Sequence, residues 1–186
     1  MAGHSGDDTT LRAYLRDAEP SVRSTALSGL ERMGALDDEL LRRSLLDPAP
    51  AVRCRAARLA ARHPAVSLRE RLRDDDATVS EMAAWAAGEQ PDPSAGTVEA
   101  LATMATAHRD PLCREAAVAA LGALGSHGVT AGLTAILQAT RDRPAIRRRA
   151  VLALAPFDGP EVDAALRRAL EDRDWQVRQA AEDLLG

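Results

Sequence analysis

The sequence predicts an all-α fold, a right-handed α-α superhelix built from about six helical hairpins. Three observations predict it. The first is a recurring eight-residue pattern: PSVRSTAL (20–27), PAVRCRAA (50–57), ATVSEMAA (77–84), PLCREAAV (111–118), PAIRRRAV (144–151) and WQVRQAAE (175–182). Its third column, Val22, Val52, Val79, Cys113, Ile146 and Val177, advances by 30, 27, 34, 33 and 31 residues, and a period in this range marks a stacked array. The second is composition. The chain is 46% hydrophobic but only 2% aromatic, which suits closely packed aliphatic helices and not sheets. The third is spacing: apolar residues fall at i, i+4 and i+8 through each copy, one stripe of a helix.

The elements follow in order. Residues 1–8, polar and acidic, read as a disordered tail ahead of one repeat domain over 9–186. Its units are about 9–34, 38–64, 66–88, 97–125, 128–157 and 160–186. Each first helix is anchored by a pair of apolar residues: Leu11 and Leu15, Leu41 and Leu45, Leu68 and Leu72, Leu101 and Met104, Leu133 and Leu137, Leu166 and Leu170. Each second helix starts on the pattern. Pro20, Pro50, Pro111 and Pro144 suit a first turn, where the missing N–H costs nothing, and Asp76, Asp110 and Asp174 stand where an N-cap belongs. The Val/Ile/Cys column, the alanines Ala26, Ala56, Ala83, Ala117, Ala150 and Ala181, and then Leu30, Ala60, Ala87, Leu121, Leu154 and Leu185 form the buried seam. No hairpin can cover that seam alone, so the units must stack. With helices about 8–10 Å apart, the stack is a curved rod roughly 50–60 Å long. GEQPDPSAGT (88–97) is the longest breaker-rich run and predicts a change of superhelical angle between units three and four within one continuous core. GALGSHGVTAG (122–132) reads as a helix end and a loop.

The repeat resembles the HEAT-like repeats of the phycobilisome-lyase type. The resemblance covers roughly residues 9–186 and rests on Asp-x-x-x-x-Val-Arg-x-x-Ala, present at Asp17–Ala26, Asp47–Ala56 and Asp172–Ala181. It implies that the Asp and the Arg six residues later form a ladder along the stack, tying the turns together. That role would fall to Asp17 with Arg23, Asp47 with Arg53 and Asp172 with Arg178, and to Arg114 and Arg147 in units four and five. Unit three has Ser80 in place of the Arg. Units four and five have His108 and Arg141 in place of the Asp, with Asp110 and Asp142 as nearby substitutes.

Chemistry is sparse. Net charge is −4, and all 24 basic residues are arginine, so bulk charge does not point to nucleic acid or an anionic membrane. No apolar run reaches the roughly 18 residues a membrane helix needs, and the two cysteines suit a reducing compartment; a cytoplasmic protein is expected. His4, His63, His108 and His127 show no metal-binding spacing, so neither a metal nor a cofactor is expected. Cys113 falls in the core column, whereas Cys54, with Arg53, Arg55 and Arg58 beside it, is a candidate for a thiol of lowered pKa. A disulfide between them would have to bridge two stacking steps, far beyond the Cα limit of about 7 Å.

In HEAT-like arrays the second helices line the concave surface. Positions two, three and six after the Val column would be exposed there. This picks out Arg55, Arg58, Glu81, Met82, Trp85, Arg148 and Arg149 as a partner-binding face, centred on Trp85 with arginines to either side. An exposed Trp flanked by Arg has the composition of a binding hot spot, and Arg148 and Arg149 suit an acidic partner. Trp175 reads as a packing or end-cap residue. The functional expectation is a non-catalytic scaffold that grips a protein or peptide on its concave face. The alternatives are a lyase or chaperone subunit acting on a chromophore or modified protein, and a DNA-binding or glycosylase-type protein using Trp85 and Glu81. Glu81, Glu115 and Asp183 interrupt the positive stripe that nucleic acid would need. End-to-end homodimerisation through the last helix is left open.

Overall fold

The computed structural model describes residues 5–125 and 129–186. Eleven α-helices and one 3₁₀ turn make up the regular structure among these residues. They are α1 (Ser5–Tyr14), α2 (Pro20–Arg32), α3 (Asp38–Ser44), α4 (Pro50–Ala60), the 3₁₀ turn Arg71–Arg73, α5 (Ala77–Glu89), α6 (Ala95–Ala107), α7 (Pro111–Leu124), α8 (Val129–Ala139), α9 (Pro144–Ala153), α10 (Pro160–Leu170) and α11 (Trp175–Leu185). Helices α2, α4, α5, α7, α9 and α11 pack side by side in sequence order as one layer. The 3₁₀ turn, α6, α8 and α10 follow one another in the other. One contiguous core of aliphatic residues and alanine runs between the layers.

The second helices form where the pattern places them. Proline opens α2, α4, α7 and α9, and Asp76, Asp110 and Asp174 accept the orphan N–H groups of α5, α7 and α11. All six alanines of the central column are buried. The seam is incomplete at both ends, where Val22 is half-buried and Leu185 is 50% exposed.

The first helices depart from expectation in four places. Helix α1 begins at Ser5, so 5–8 are helical and not part of a tail, while 1–4 lie outside the described residues. In unit three, Leu68 and Leu72 are buried as anchors, but the segment makes only a 3₁₀ turn. The 27-residue step leaves too little chain for a further helix. Gln90, just past the end of α5, fills the space: its buried Nε2 donates to Ala60 O at 3.0 Å, Val66 O at 3.1 Å and His63 O at 3.4 Å. One amide thereby satisfies carbonyls that a first helix would otherwise cover, as buried polar groups require. In α8 the buried residues include Ala135, Ile136 and Ala139, with Leu133 and Leu137 only half-buried. In α10 the buried set is Val162, Ala165, Leu166 and Ala169, and Leu170 is exposed. In both helices alanines share the buried stripe with one or two larger apolar residues, so it does not fall on the leucine pair.

The predicted break at 88–97 is narrower than its composition suggests. Gly88 and Glu89 belong to α5 and Ala95–Thr97 to α6, leaving a short loop that ends in Ser94, the N-cap of α6. In GALGSHGVTAG, Gly122 lies inside α7 and Gly132 inside α8; Gly125 takes φ +53° just past the end of α7, and 126–128 lie outside the described residues.

A second tie holds units one and two. His63, past the end of α4, places Nδ1 2.8 Å from Asp38 of α3 and Nε2 3.1 Å from Glu31 of α2. Arg62 and Arg42 reach the same carboxylates more distantly, at 3.7 and 3.9 Å. Burial alone would lower the imidazole pKa, but the two carboxylates outweigh it and raise it above the ordinary value near 6.5. The stabilisation is therefore complete below that ordinary value and is lost as pH rises through the raised one. Denaturant unfolding of wild type and His63→Gln should show a stability gap that is widest in mild acid and narrows on the alkaline side. A gap that stays constant across this range overturns the assignment.

Candidate functional site

The ladder is the framework on which the site is built. Arg23 of α2 forks onto Asp47 of the next unit, with Nε to Oδ2 at 2.8 Å and Nη2 to Oδ1 at 2.7 Å. Arg53 does the same to Asp74 at 2.9 and 2.6 Å, Arg114 to Asp142 at 2.9 and 3.2 Å, and Arg147 to Asp172 at 2.8 and 2.7 Å. Each Nη1 turns back to the carbonyl five or six residues upstream in its own turn. The arginine thus clamps its own turn and grips the carboxylate of the following unit, the bidentate geometry that only guanidinium provides. Asp47, Asp74 and Asp142 would be raised by burial, but the arginines and nearby backbone N–H groups hold them below the usual carboxylate range. At Asp172 the bonds from Arg147 dominate, with the same direction.

This geometry corrects the pairs inferred from the motif: Arg23 takes Asp47 and not Asp17, Arg53 takes Asp74 and not Asp47, and Asp172 is taken by Arg147 and not Arg178. The paired residues belong to consecutive units, so the two ends differ. Asp17 caps only the N–H of Glu19, and Arg178 reaches only the carbonyls of Asp172 and Arg173. Asp142 substitutes in the ladder, whereas Asp110 caps α7. Between units three and four both partners are replaced together. Ser80 Oγ donates to Asp74 O at 3.1 Å, and His108 Nδ1 accepts from the N–H of Asp110 at 3.1 Å, each keeping the local half of the lost role. Losing both partners avoids a buried, uncompensated charge.

At this ladder-free junction α5 and α7 approach closely, as α7 and α9 do at the next. A Cβ on Gly88 would lie 2.8 Å from Ala120 Cα, and one on Gly122 would lie 2.8 Å from Ala153 Cα. Beside Gly88, α5 and α7 enclose a groove of about 510 Å³, with Cys54 of α4 at one edge. The α5 wall is Thr78, Glu81, Met82, Trp85, Gly88 and Glu89; the α7 wall is Ala116, Ala119, Ala120 and Ala123. The recess exists because α7 presents only methyl groups opposite the indole. Trp85 is 44% exposed, a large apolar surface left open to solvent.

Of the residues singled out by sequence, Glu81, Met82 and Trp85 share this groove. Arg55 and Arg58 stay outside its walls on α4. Arg149 is drawn to Glu115 of α7 at 3.4 Å. Arg148 lines a smaller recess of about 280 Å³ between α9 and α11, together with Leu152, Gln179 and Trp175. Trp175 is 63% exposed and so is not a buried packing residue. Cys54 is not activated: burial pushes its thiol pKa up, more than Arg55 and Arg58 lower it. Burial likewise pushes Cys113 to about 11. Glu89 was hidden inside the breaker-rich run, although Thr78, Glu81, Met82, Trp85 and Glu89 fall at i, i+3, i+4, i+7 and i+11 of one helix face. Among the described residues no group of three or more His, Cys, Asp or Glu is placed to hold a metal, and no helix is long and apolar enough to cross a membrane.

Two layers of stacked hairpins, stapled by a bidentate Arg–Asp ladder, define an α-solenoid of the HEAT-like repeat class. The family of HEAT repeats matches residues 65–144, and the two helical layers continue on either side of that segment. Solved structures agree on the fold. A designed armadillo repeat protein in complex with the peptide (KR)4 is 17% identical over 97% of this chain and 98% of its own, with a TM-score of 0.71. The complex of CpcE and CpcF of phycocyanin lyase from Nostoc is 21% identical over 100% of this chain and 78% of that one, TM-score 0.62. Human deoxyhypusine hydroxylase is 24% identical over 96% of this chain and 72% of its own, TM-score 0.52. No curated protein matches the chain in sequence.

Proposed function

We infer that the protein is a non-catalytic interaction scaffold that binds a peptide segment of a partner protein across its second-helix face. The observation that carries this is the half-exposed Trp85 over an alanine-walled groove. An open indole beside a preformed apolar recess is the usual anatomy of an interface anchor. Arg55, Arg58 and Arg148 then act as rim charges, steering acidic flanks of the partner and contributing more to association rate than to affinity. The armadillo neighbour is a solenoid of the same shape holding a peptide, which is consistent with this use of the fold.

The test is selection of a random dodecapeptide library on the immobilised protein. Trp85→Ala should weaken the selected peptides by roughly 30-fold or more, the effect of losing a hot spot of about 2 kcal/mol. Enrichment of no peptide, or of peptides that bind both proteins equally, overturns the reading. A second reading is that the groove holds a chromophore, as the likeness to a phycocyanin lyase complex and a volume in the small-ligand range suggest. Its signature is an absorbance shift of a linear tetrapyrrole on mixing, abolished by Trp85→Ala. A DNA-binding role has less support, because the charged groups lining the groove are carboxylates.

A further inference from the structure

We propose that the Trp85 groove reads a cationic side chain, so that the bound peptide carries an arginine or lysine next to bulky apolar residues. This rests on the reading of the groove as a peptide site and names what the site selects.

The walls of the groove divide into two sets. Met82, Trp85, Cys54 and the four alanines of α7 are apolar or nearly so, and would take aliphatic side chains. The charged groups are Glu81 and Glu89, on either side of Trp85 along α5 and on the same helical face. Both are exposed, and neither has an ion-pair partner among the described residues. Arg53 and Arg114 belong to the ladder and Arg149 is held by Glu115, while Arg55 and Arg58 act on the Cys54 edge from outside the groove walls. No arginine lines the groove itself. A cation entering it therefore meets two unpaired carboxylates and the indole between them. The carboxylates supply charge-assisted hydrogen bonds, and the indole face supplies a cation–π contact. An anionic side chain would be repelled at the same point, which makes the discrimination a matter of repulsion as well as attraction. The net charge of the chain, −4, works in the same direction at long range.

Of the two arginines that the sequence offers to an acidic partner, Arg148 then belongs to the rim and Arg149 is held by Glu115. Acidic residues of the partner belong at the rim, near Arg55, Arg58 and Arg148, and a basic one belongs in the centre.

The experiment is calorimetric titration at physiological ionic strength with three octapeptides that alternate Leu-Arg, Leu-Glu and Ser-Arg. The proteins are wild type, Trp85→Ala and Glu81→Gln/Glu89→Gln. Both glutamates are exposed, so the double variant should keep the wild-type unfolding transition. The Leu-Arg peptide should bind wild type more tightly than the Ser-Arg peptide, and the Leu-Glu peptide should not bind measurably. The double glutamine variant should lose about tenfold or more in affinity for the Leu-Arg peptide, with most of that loss reproduced in wild type by raising the salt. Equal binding of the Leu-Glu peptide overturns the proposal, as does an unchanged affinity in the double variant or in Trp85→Ala. If library selection returns acidic or neutral peptides that still require Trp85, the cation preference is wrong while the scaffold reading stands. If no peptide requires Trp85, both fall.

Discussion

Replacing Arg53 with methionine should destabilise the protein by about 3 kcal/mol, the lower end of the ~3–5 kcal/mol lost when one partner of a buried ion pair is removed. Asp74 is the reason. Its side chain is 1% exposed, the most buried carboxylate of the ladder, and Arg53 supplies two of its bonds. Methionine keeps the aliphatic stem but leaves that carboxylate to Arg71, at 3.1 Å, and to the N–H of Asp76. Those remaining donors hold the loss to the lower end. For a chain of this length the loss corresponds to a melting shift of roughly 6–12 °C. The same substitution should cost less at Arg23, whose partner Asp47 is 12% exposed. It should cost least at Arg178, which has no carboxylate to abandon. The pH dependence follows from Asp74. Its pKa is lowered in the folded state, so the pair contributes fully above the ordinary carboxylate value near 3.9 and is lost as pH falls through the lowered one. The gap between wild type and Arg53→Met should therefore shrink in strong acid. Arg53→Met with Asp74→Asn should recover part of the loss at neutral pH. If Arg178→Met costs as much as Arg53→Met, the ladder carries no more than ordinary surface contacts and the argument fails.

What the sequence shows of this molecule follows from which physical causes repeat. The second helices were legible because proline, the capping aspartates, the β-branched column and the alanine column each act locally and recur in every unit. The ladder arginines were legible for the same reason, but their partners were not. Pairing runs from one unit to the next, and no spacing within a unit says whether Asp17 or Asp47 faces Arg23. The joint replacement at Ser80 and His108 looks in sequence like two unrelated lapses. In the fold it is one missing rung. The first helix of unit three was misread because leucines at helical spacing, Leu68 and Leu72, are buried equally well by a compact turn when the chain is short. The filler, Gln90, acts on carbonyls 24 to 30 residues away. Within the candidate site, Trp85, Met82 and Glu81 follow from helical phase alone. The groove beside them does not, because it is made by what α7 lacks. Four alanines opposite a tryptophan are silent until the register of α5 on α7 is known.

That register depends on Gly88, and Gly88→Ala should destabilise the protein by about 1–3 kcal/mol where helix propensity alone predicts a gain of about 1 kcal/mol. Gly88 sits nine residues after Val79, and Gly122 sits nine after Cys113; each faces the alanine seven after the corresponding column in the next helix, Ala120 and Ala153. A Cβ at 88 would lie 2.8 Å from the Cα and 3.0 Å from the Cβ of Ala120. The obstruction is backbone and the first side-chain atom, which no rotamer change can move, so α5 and α7 must separate. Gly132 is the control. Its added Cβ meets only the tip of Leu121, at 3.4 Å, so Gly132→Ala should keep the propensity gain and stabilise the protein slightly. The separation at Gly88 also reaches the groove, since Trp85 lies one turn back on the wall that would move. Gly88→Ala should shift Trp85 fluorescence, read in a Trp175→Phe background, and weaken the Leu-Arg peptide, while Gly132→Ala changes neither. Equal stability effects at the two glycines would show that the close approach of α5 and α7 is not what sets the width of the site.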